Sequence, residues 1–589
     1  MENNRKYLIN HELIFKIAFA LSVCGILLSV FDYGFDQSNG AQLAINIFYF
    51  FVIAFGIFST ALRYFALRRK PPTKVLIFDS TTILFSIIVV AHHIYVQFTS
   101  HTGQYLSGDL MINLALFLTF VREFAERRLN YKRTFINPAQ LFIVSFLGII
   151  FMGAILLKLP NATYNGISFL DALFTSTSAV CVTGLVVVDT GSYFTDFGQF
   201  IILVLIQIGG LGILTFASYF SYFFKGGSSY ENQLSIGEMT NSQKIGEVFS
   251  TLKRILIITF VIEFIGGVLI WFSLDAKLFG SFIEKFFFTL FHSVSSFCNA
   301  GFSTFSDGLH TSGIRYNYWF QLAIIFLFFL GGLGFPIVVN LLKYTKYFIL
   351  NKVLFFYRGI RNYKPWVLTL NSRITLITTL SLTIVGTILF FVSEYDNVLA
   401  EHSGFGKVVT ALFGAATPRT AGFNTVDMAS LNFSTTMLIF LLMWIGASPA
   451  STGGGIKTST FAIATLNFIS LAKGKTRIEV YRREIADISV RRAFAVISLS
   501  LVVIGSGIIM ISITDSEKDL MSIAFECFSA YSTVGLSVGI TADLSSAAKI
   551  IIICIMFVGR VSMLSILIAL FRKVKHKNYR YPTEEITIN

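Results

Sequence analysis

Four short segments of this chain place a glycine behind a run of small and hydroxyl-bearing residues: LFTSTSAVCVTGL (173–185), LFHSVSSFCNAGF (290–302), LFGAATPRTAGF (412–423) and AFECFSAYSTVGL (524–536). Their glycines, Gly184, Gly301, Gly422 and Gly535, are spaced by 117, 121 and 113 residues. In three segments a Phe stands ten residues before the glycine, and in the third copy nine. These residues offer no nucleophile and no carboxylate pair. What they offer is backbone: glycine accepts positive φ, and a loop so turned can aim carbonyl oxygens at an axis, where they replace a cation's lost water. The residues before each glycine are small or β-branched and would not fill a lumen: Val182 and Thr183, Asn299 and Ala300, Thr420 and Ala421, Thr533 and Val534. A single such loop is best taken as a surface turn. Four matched copies at a regular period are an internal repeat, and they imply a cation pore.

A second group of residues interrupts the long apolar stretch 434–470. Within GASPASTGGGIKTST (446–460), Pro449 removes a backbone donor and Gly453, Gly454 and Gly455 loosen the helix, so a break at mid-membrane is expected. Lys457 lies near the end of the break. On composition a simple kink and a functional loop both remain open. Arg560 sits inside the apolar run 551–570, where a charge is costly and faces a cavity or a partner; the other reading is an arginine reaching the cytoplasmic interface. Glu263 (VIEFIGG, 261–267) is equally consistent with a hydrogen bond between helices and with contact to an ion.

These residues need membrane-embedded elements to hold them. Over 589 residues the chain is 54% hydrophobic and 13% charged, with a mean hydropathy of +0.71, against about 25% charged in an ordinary soluble domain. Runs such as 141–157, 198–220, 255–273 and 319–342 approach the roughly 20 apolar residues a spanning helix needs. The short glycine segments are too polar to span and suit re-entrant helices followed by extended chain, which the bilayer tolerates only around a wet or buried cavity. The formal charge of +14 collects between spans, at Arg63–Lys74, Arg122–Arg133, Lys343–Arg373, Lys473–Arg492 and Arg572–Arg580. That marks cytoplasmic loops and excludes nucleic acid as the reason for the basic balance. Asp189, Asp307, Asp427 and Asp543 fall in the loops of the other face. The termini are then cytoplasmic. Cys24, Cys181, Cys298, Cys527 and Cys554 show no metal-ligand or disulfide spacing. No GxxxxGK[ST] phosphate loop is present, so neither an enzyme nor an ATP-driven pump is indicated.

The expected fold is all-α and polytopic: four pseudo-symmetric units of helix, pore loop and helix (eight spans), preceded by about four extra N-terminal helices. Boundaries follow the repeats: 1–134 for the extension, then pore units at 135–224, 225–364, 365–485 (with the broken helix) and 486–572, and a cytoplasmic tail at 573–589. Arg122, Arg127 and Arg128 stand only at the end of the fourth segment. A voltage sensor requires arginines spaced through a helix, so the extension is expected to be structural or regulatory. A secondary transporter on inverted repeats would need paired broken helices, whereas only one break is evident and the units share one direction.

The motifs TSAVCVTGL, QIGGLG (207–212), TPRTAGFNT (417–425) and YRYPTEEI (579–586), within almost all of 135–582, resemble the ion-conducting subunit of the Trk/Ktr/HKT superfamily of potassium transporters, of the KtrB/TrkH type. The resemblance implies that the four glycine loops are a potassium selectivity filter. A serine at the first glycine is associated with sodium preference, and here all four are Gly. It further implies that 446–460 is an intramembrane gate with Arg560 against it, and that K+ is the transported ion, with no organic cofactor and Na+ as an activator left open. A homodimer, a cytosolic nucleotide-binding regulatory ring of the KtrA/TrkA kind docked beside membrane lipid, and a bacterial cytoplasmic membrane location are implied in the same way. Sodium- or proton-coupled secondary cation transport is the alternative.

Overall fold

A computed structural model describes residues 2–67, 73–99, 110–126, 138–212, 248–359, 367–563 and 566–567. The YRYPTEEI tail and the basic run Arg572–Arg580 lie outside the described residues. Four helices come first: α1 (Glu2–Gly34), α2 (Asn39–Leu67), α3 (Thr73–Thr99) and α4 (Leu110–Glu126). They share an apolar seam of Ile45, Tyr49, Val52, Ile53, Val89, Ile112, Ala115 and Leu116. Inside this bundle Arg63 pairs with Glu123 at 2.5 Å and Arg122 with Asp79 at 2.5 Å, with all four residues buried. Arg63 and Arg122 are therefore not loop cations, as their places in basic runs suggest. Acids on α3 and α4 draw them inward, because a charge shut away from water needs a partner.

The rest of the chain is built from a recurring sequence of elements. The first set is α5 (Pro138–Leu157), α6 (Phe169–Cys181) and α7 (Asp196–Leu211), and the second is α8 (Val248–Ser273), α9 (Phe282–Cys298), α10 (Tyr318–Gly332) and α11 (Phe335–Arg358). The third is α12 (Leu370–Ser393), α13 (Phe405–Ala416), α14 (Phe433–Trp444) and α15 (Thr458–Ala472). A two-residue hairpin, Glu479–Val480 against Arg483–Glu484, leads to the last set, α16 (Asp487–Thr514), α17 (Leu520–Ser532) and α18 (Ser546–Val561). Six of the described helices are long and apolar enough to cross a membrane alone, among them α8, α12 and α16. Their outward faces leave Phe272, Val392 and Ile513 exposed, as a lipid-facing surface requires. The chain is a membrane protein. At the C-terminal end of α1 the Tyr33 ring stacks on Phe197 at 5.6 Å, and Asn161 Nδ2 donates to Asp36 Oδ1 at 3.2 Å, joining the N-terminal bundle to α7 and the turn before α6.

The long apolar runs are not all continuous helices. The run 319–342 bends by 107° between α10 and α11, at Leu333 and Gly334, where Gly334 has φ +80°. The run 198–220 leaves the helix at Gly212 (φ +77°), and 551–570 leaves it at Ser562 (φ +74°). The expectation that only the 446–460 stretch is broken is thus corrected. Composition hides these breaks because the residues on both sides are equally apolar, whereas a left-handed residue ends a helix whatever its neighbours' hydropathy.

Candidate functional site: a ring of glycine loops

Three of the four short helices are started by a side-chain cap, and all four are stopped at a fixed place. Ser168 accepts from the Asp171 amide, Ser281 from Glu284, and Asp519 from Met521 and Ser522, as side-chain N-caps do. At the other end the residue two before each glycine turns left-handed: Val182 (φ +58°), Asn299 (+61°), Thr420 (+78°) and Thr533 (+49°). The next amide reaches back to the helix: Thr183 to the Ser178 carbonyl at 2.8 Å, Ala300 to Ser295 at 2.7 Å, and Val534 to Ser529 at 2.9 Å. In the third loop the same closure runs from Ala421 to Thr417 at 2.9 Å, a ring one residue tighter, which accounts for the nine-residue Phe spacing. Left-handed φ is costly for β-branched residues, so three of these four stops hold strained backbone.

Sequence inspection misses the residues that pin the loops. Ser178 Oγ accepts from the Gly184 amide at 3.0 Å, and Ser529 Oγ from Gly535 at 3.1 Å. Ser295 Oγ donates to the Phe302 carbonyl at 2.8 Å, and Thr417 Oγ1 to Phe423 at 2.6 Å. Every unit thus carries a hydroxyl six residues before its glycine, or five in the third, and that spacing is a signal the sequence does contain.

The loops meet in a closed cycle. A Cβ placed on Gly184 would come within 3.0 Å of the Ala300 carbonyl oxygen, one on Gly301 would reach Ala421, one on Gly422 Val534, and one on Gly535 Thr183. Each glycine therefore abuts the residue preceding the next unit's glycine, and the fourth returns to the first. At Gly184, Gly422 and Gly535 no side chain larger than hydrogen fits, and at Gly301 one would press on neighbours at 3.0 Å. All four glycines line one cavity of about 540 Å³, together with Asp189, Asp307 and Asp427. Asp543, the fourth acid expected on that face, pairs instead with Lys518 at 3.8 Å.

Residues 446–457 lie on the other side of the ring, against the residues two before the glycines. The Gly454 amide donates to Thr533 Oγ1 at 2.9 Å, a Cβ on Gly453 would strike the Thr420 side chain, and Asn299 and Thr420 are hydrogen-bonded at 3.0 Å. The loop is also stitched to the break before α11, with Ser448 N donating to the Gly332 carbonyl at 3.0 Å and Phe335 N to Ala450 at 3.3 Å. Lys457 Nζ donates to the Gly453 carbonyl at 2.5 Å. Arg560 donates to the Thr452 carbonyl and, at 2.6 Å, to the Gly209 carbonyl. Among the described residues no carboxylate pairs with Arg560 or Lys457. Both cations hold the loop by backbone oxygens alone. Gly453, Gly454, Gly455, Lys457 and Arg560 are thus brought together beneath the ring, against Thr420 and Thr533.

Glu263 falls apart from this group. It receives the Gln207 amide at 3.1 Å, and its backbone carbonyl accepts from Ser293, so it binds α8 to α7 and α9. Two buried charges escaped notice. Arg419, one residue before left-handed Thr420, donates to the Thr379 carbonyl at 3.1 Å and to Thr383 Oγ1 at 3.2 Å. Glu526, on α17, accepts from Ser537 at 2.5 Å and Thr541 at 2.9 Å.

Apolar helices enclosing glycine loops that meet at a buried ring are the build of an integral-membrane protein of the transport class. A sequence model described as "TrkH: Cation transport protein" matches residues 109–581, and the chain belongs to this family. It is 37% identical over 454 residues to "Ktr system potassium uptake protein B" of Bacillus subtilis (strain 168), covering 76% of this chain and 96% of the relative. It is 34% identical over 463 residues to "Potassium/sodium uptake protein NtpJ" of Enterococcus hirae, covering 77% and 97%. The fold is shared with the crystal structure of the potassium transporter TrkH from Vibrio parahaemolyticus, at a TM-score of 0.59 and 18% identity over 94% of this chain and 98% of that one.

Proposed function

We propose that this protein takes up potassium across a bacterial cytoplasmic membrane through a pore whose filter is the ring of Gly184, Gly301, Gly422 and Gly535 with the two residues before each. The observation that carries this reading is the closed cycle of glycines, each abutting the backbone of the next loop. A polytopic scaffold of four pseudo-symmetric units then supplies one loop per quadrant. Relatives named for potassium and potassium/sodium uptake support the ion assignment. A membrane potential of roughly 100 mV provides about 2.3 kcal/mol per cation moved inward, enough to accumulate potassium without ATP hydrolysis by this chain.

Residues 446–457, held by Arg560 and Lys457, act as the gate. Two fixed cations below the ring oppose passage electrostatically, and moving the loop removes both the block and the charge. A cytosolic nucleotide-binding ring docked on a homodimer would drive that movement, with both termini cytoplasmic. The deciding experiment expresses the chain in a potassium-uptake-deficient bacterium at low external potassium, with and without a co-expressed regulatory subunit. Growth rescue is expected. Growth no better than the empty vector, with the protein in the membrane and the subunit present, would refute the reading.

A further inference from the structure

The four units are not equivalent behind the ring. The residue after the shared Phe is Thr175, His292, Gly414 or Glu526, and the residue two after the glycine is Val186, Ser303, Asn424 or Ser537. In the second unit His292 Nε2 meets Ser303 Oγ at 3.1 Å, and in the fourth Ser537 donates to Glu526 Oε1 at 2.5 Å. The cycle of glycine contacts puts these two units opposite one another across the ring. Ser303, Ser537 and Thr541 line the cavity above it.

Glu526 is 1% exposed. One carboxylate oxygen accepts from Ser537 and the other from Thr541 at 2.9 Å, while Ser537 Oγ in turn accepts from the Gly539 amide at 2.9 Å. Both carboxyl oxygens are held by loop hydroxyls. Among the described residues it has no Lys, Arg or His partner. A buried charge needs a counter-charge, and the cavity one hydroxyl away is where a cation would stand.

We propose that Glu526 is the counter-charge of the outer cation position at the ring, acting through Ser537 and Thr541 as a positioning and specificity-determining residue. This rests on the pore reading above. His292, its counterpart across the ring, supplies a tether without negative charge.

The test is rubidium-tracer uptake into proteoliposomes by wild type, E526Q, E526D and S537A, with potassium and sodium as competitors. E526Q keeps the side chain's shape and removes its charge. At an effective dielectric constant of about 20, that loss raises the KM for rubidium by at least about tenfold, with little change in maximal rate. E526D restores most of the loss, and S537A narrows potassium-over-sodium competition. Wild-type KM and competition in E526Q, or E526D as impaired as E526Q, overturns the proposal. Should E526Q not elute as monodisperse protein, E526D and S537A decide, and unchanged values in both overturn it. All variants are reconstituted with the regulatory subunit, and wild type without potassium-competed uptake under that condition would instead remove the pore reading itself.

Discussion

Replacing Gly184 with serine tests the ring directly. Gly184 has φ +93°, and a Cβ there would be driven into the Ala300 carbonyl. The backbone term is about 1–2 kcal/mol for an L-residue held left-handed, and the overpacking term about 1–3 kcal/mol. The strain is relieved most easily by swinging the Ala300 carbonyl away, which enlarges one side of the ring. If half of that strain appears as lost discrimination between two cations, potassium-over-sodium selectivity falls by a factor of roughly 5 to 60, since about 1.4 kcal/mol is a factor of ten. The Gly301 site is more open: its nearest neighbours, the Ala421 oxygen and Gly422 Cα, would lie at 3.0 Å. G301S should therefore be the milder change. The assay is the reversal potential of reconstituted protein under opposed potassium and sodium gradients. An unchanged ratio in G184S, or a G301S variant less selective than G184S, would show that these glycines do not set the ring's size.

Other perturbations address the gate and the bundle. R560A frees the Thr452 and Gly209 carbonyls, and deletion of Gly453–Gly455 removes the loop's contact with Thr533; both should raise flux without a regulatory subunit, and an unaltered leak in liposomes would mark the loop as a mere kink. E123Q strands Arg63 inside the N-terminal bundle and should cost about 3–5 kcal/mol, read as a lower melting temperature in detergent, whereas R63M combined with E123L should recover most of it. Removing residues 1–134, an even number of helices, should lower stability through loss of the Tyr33–Phe197 contact while leaving ion selectivity intact, as measured by bi-ionic potentials.

The parts of this fold legible in the sequence are those carried by composition and period. The apolar lengths of α1, α2, α3, α8 and α12 and the recurrence of Phe and Gly around each loop mark them without ambiguity. The broken stretch 446–460 is legible as well, because Pro449 and three glycines disrupt a helix locally. The left-handed stops at Val182, Thr420 and Thr533 are not, since β-branched residues are the last expected there and only the packed ring imposes them. The break at Gly334 and the helix ends at Gly212 and Ser562 are hidden for a related reason, because glycine and serine are common in membrane helices. Glu526 and Arg419 went unseen inside segments already read as loop scaffolding. Their meaning lies in what faces them, and spacing along one chain does not report that.

The four walls of the ring belong to a single polypeptide and differ from one another. In an assembly of identical subunits one codon change would strike all four quadrants at once and usually abolish conduction. Here a substitution alters one quadrant and leaves three as templates, so cation preference can drift in small increments without passing through a dead protein. The third unit, already one residue shorter, is the visible trace of that latitude.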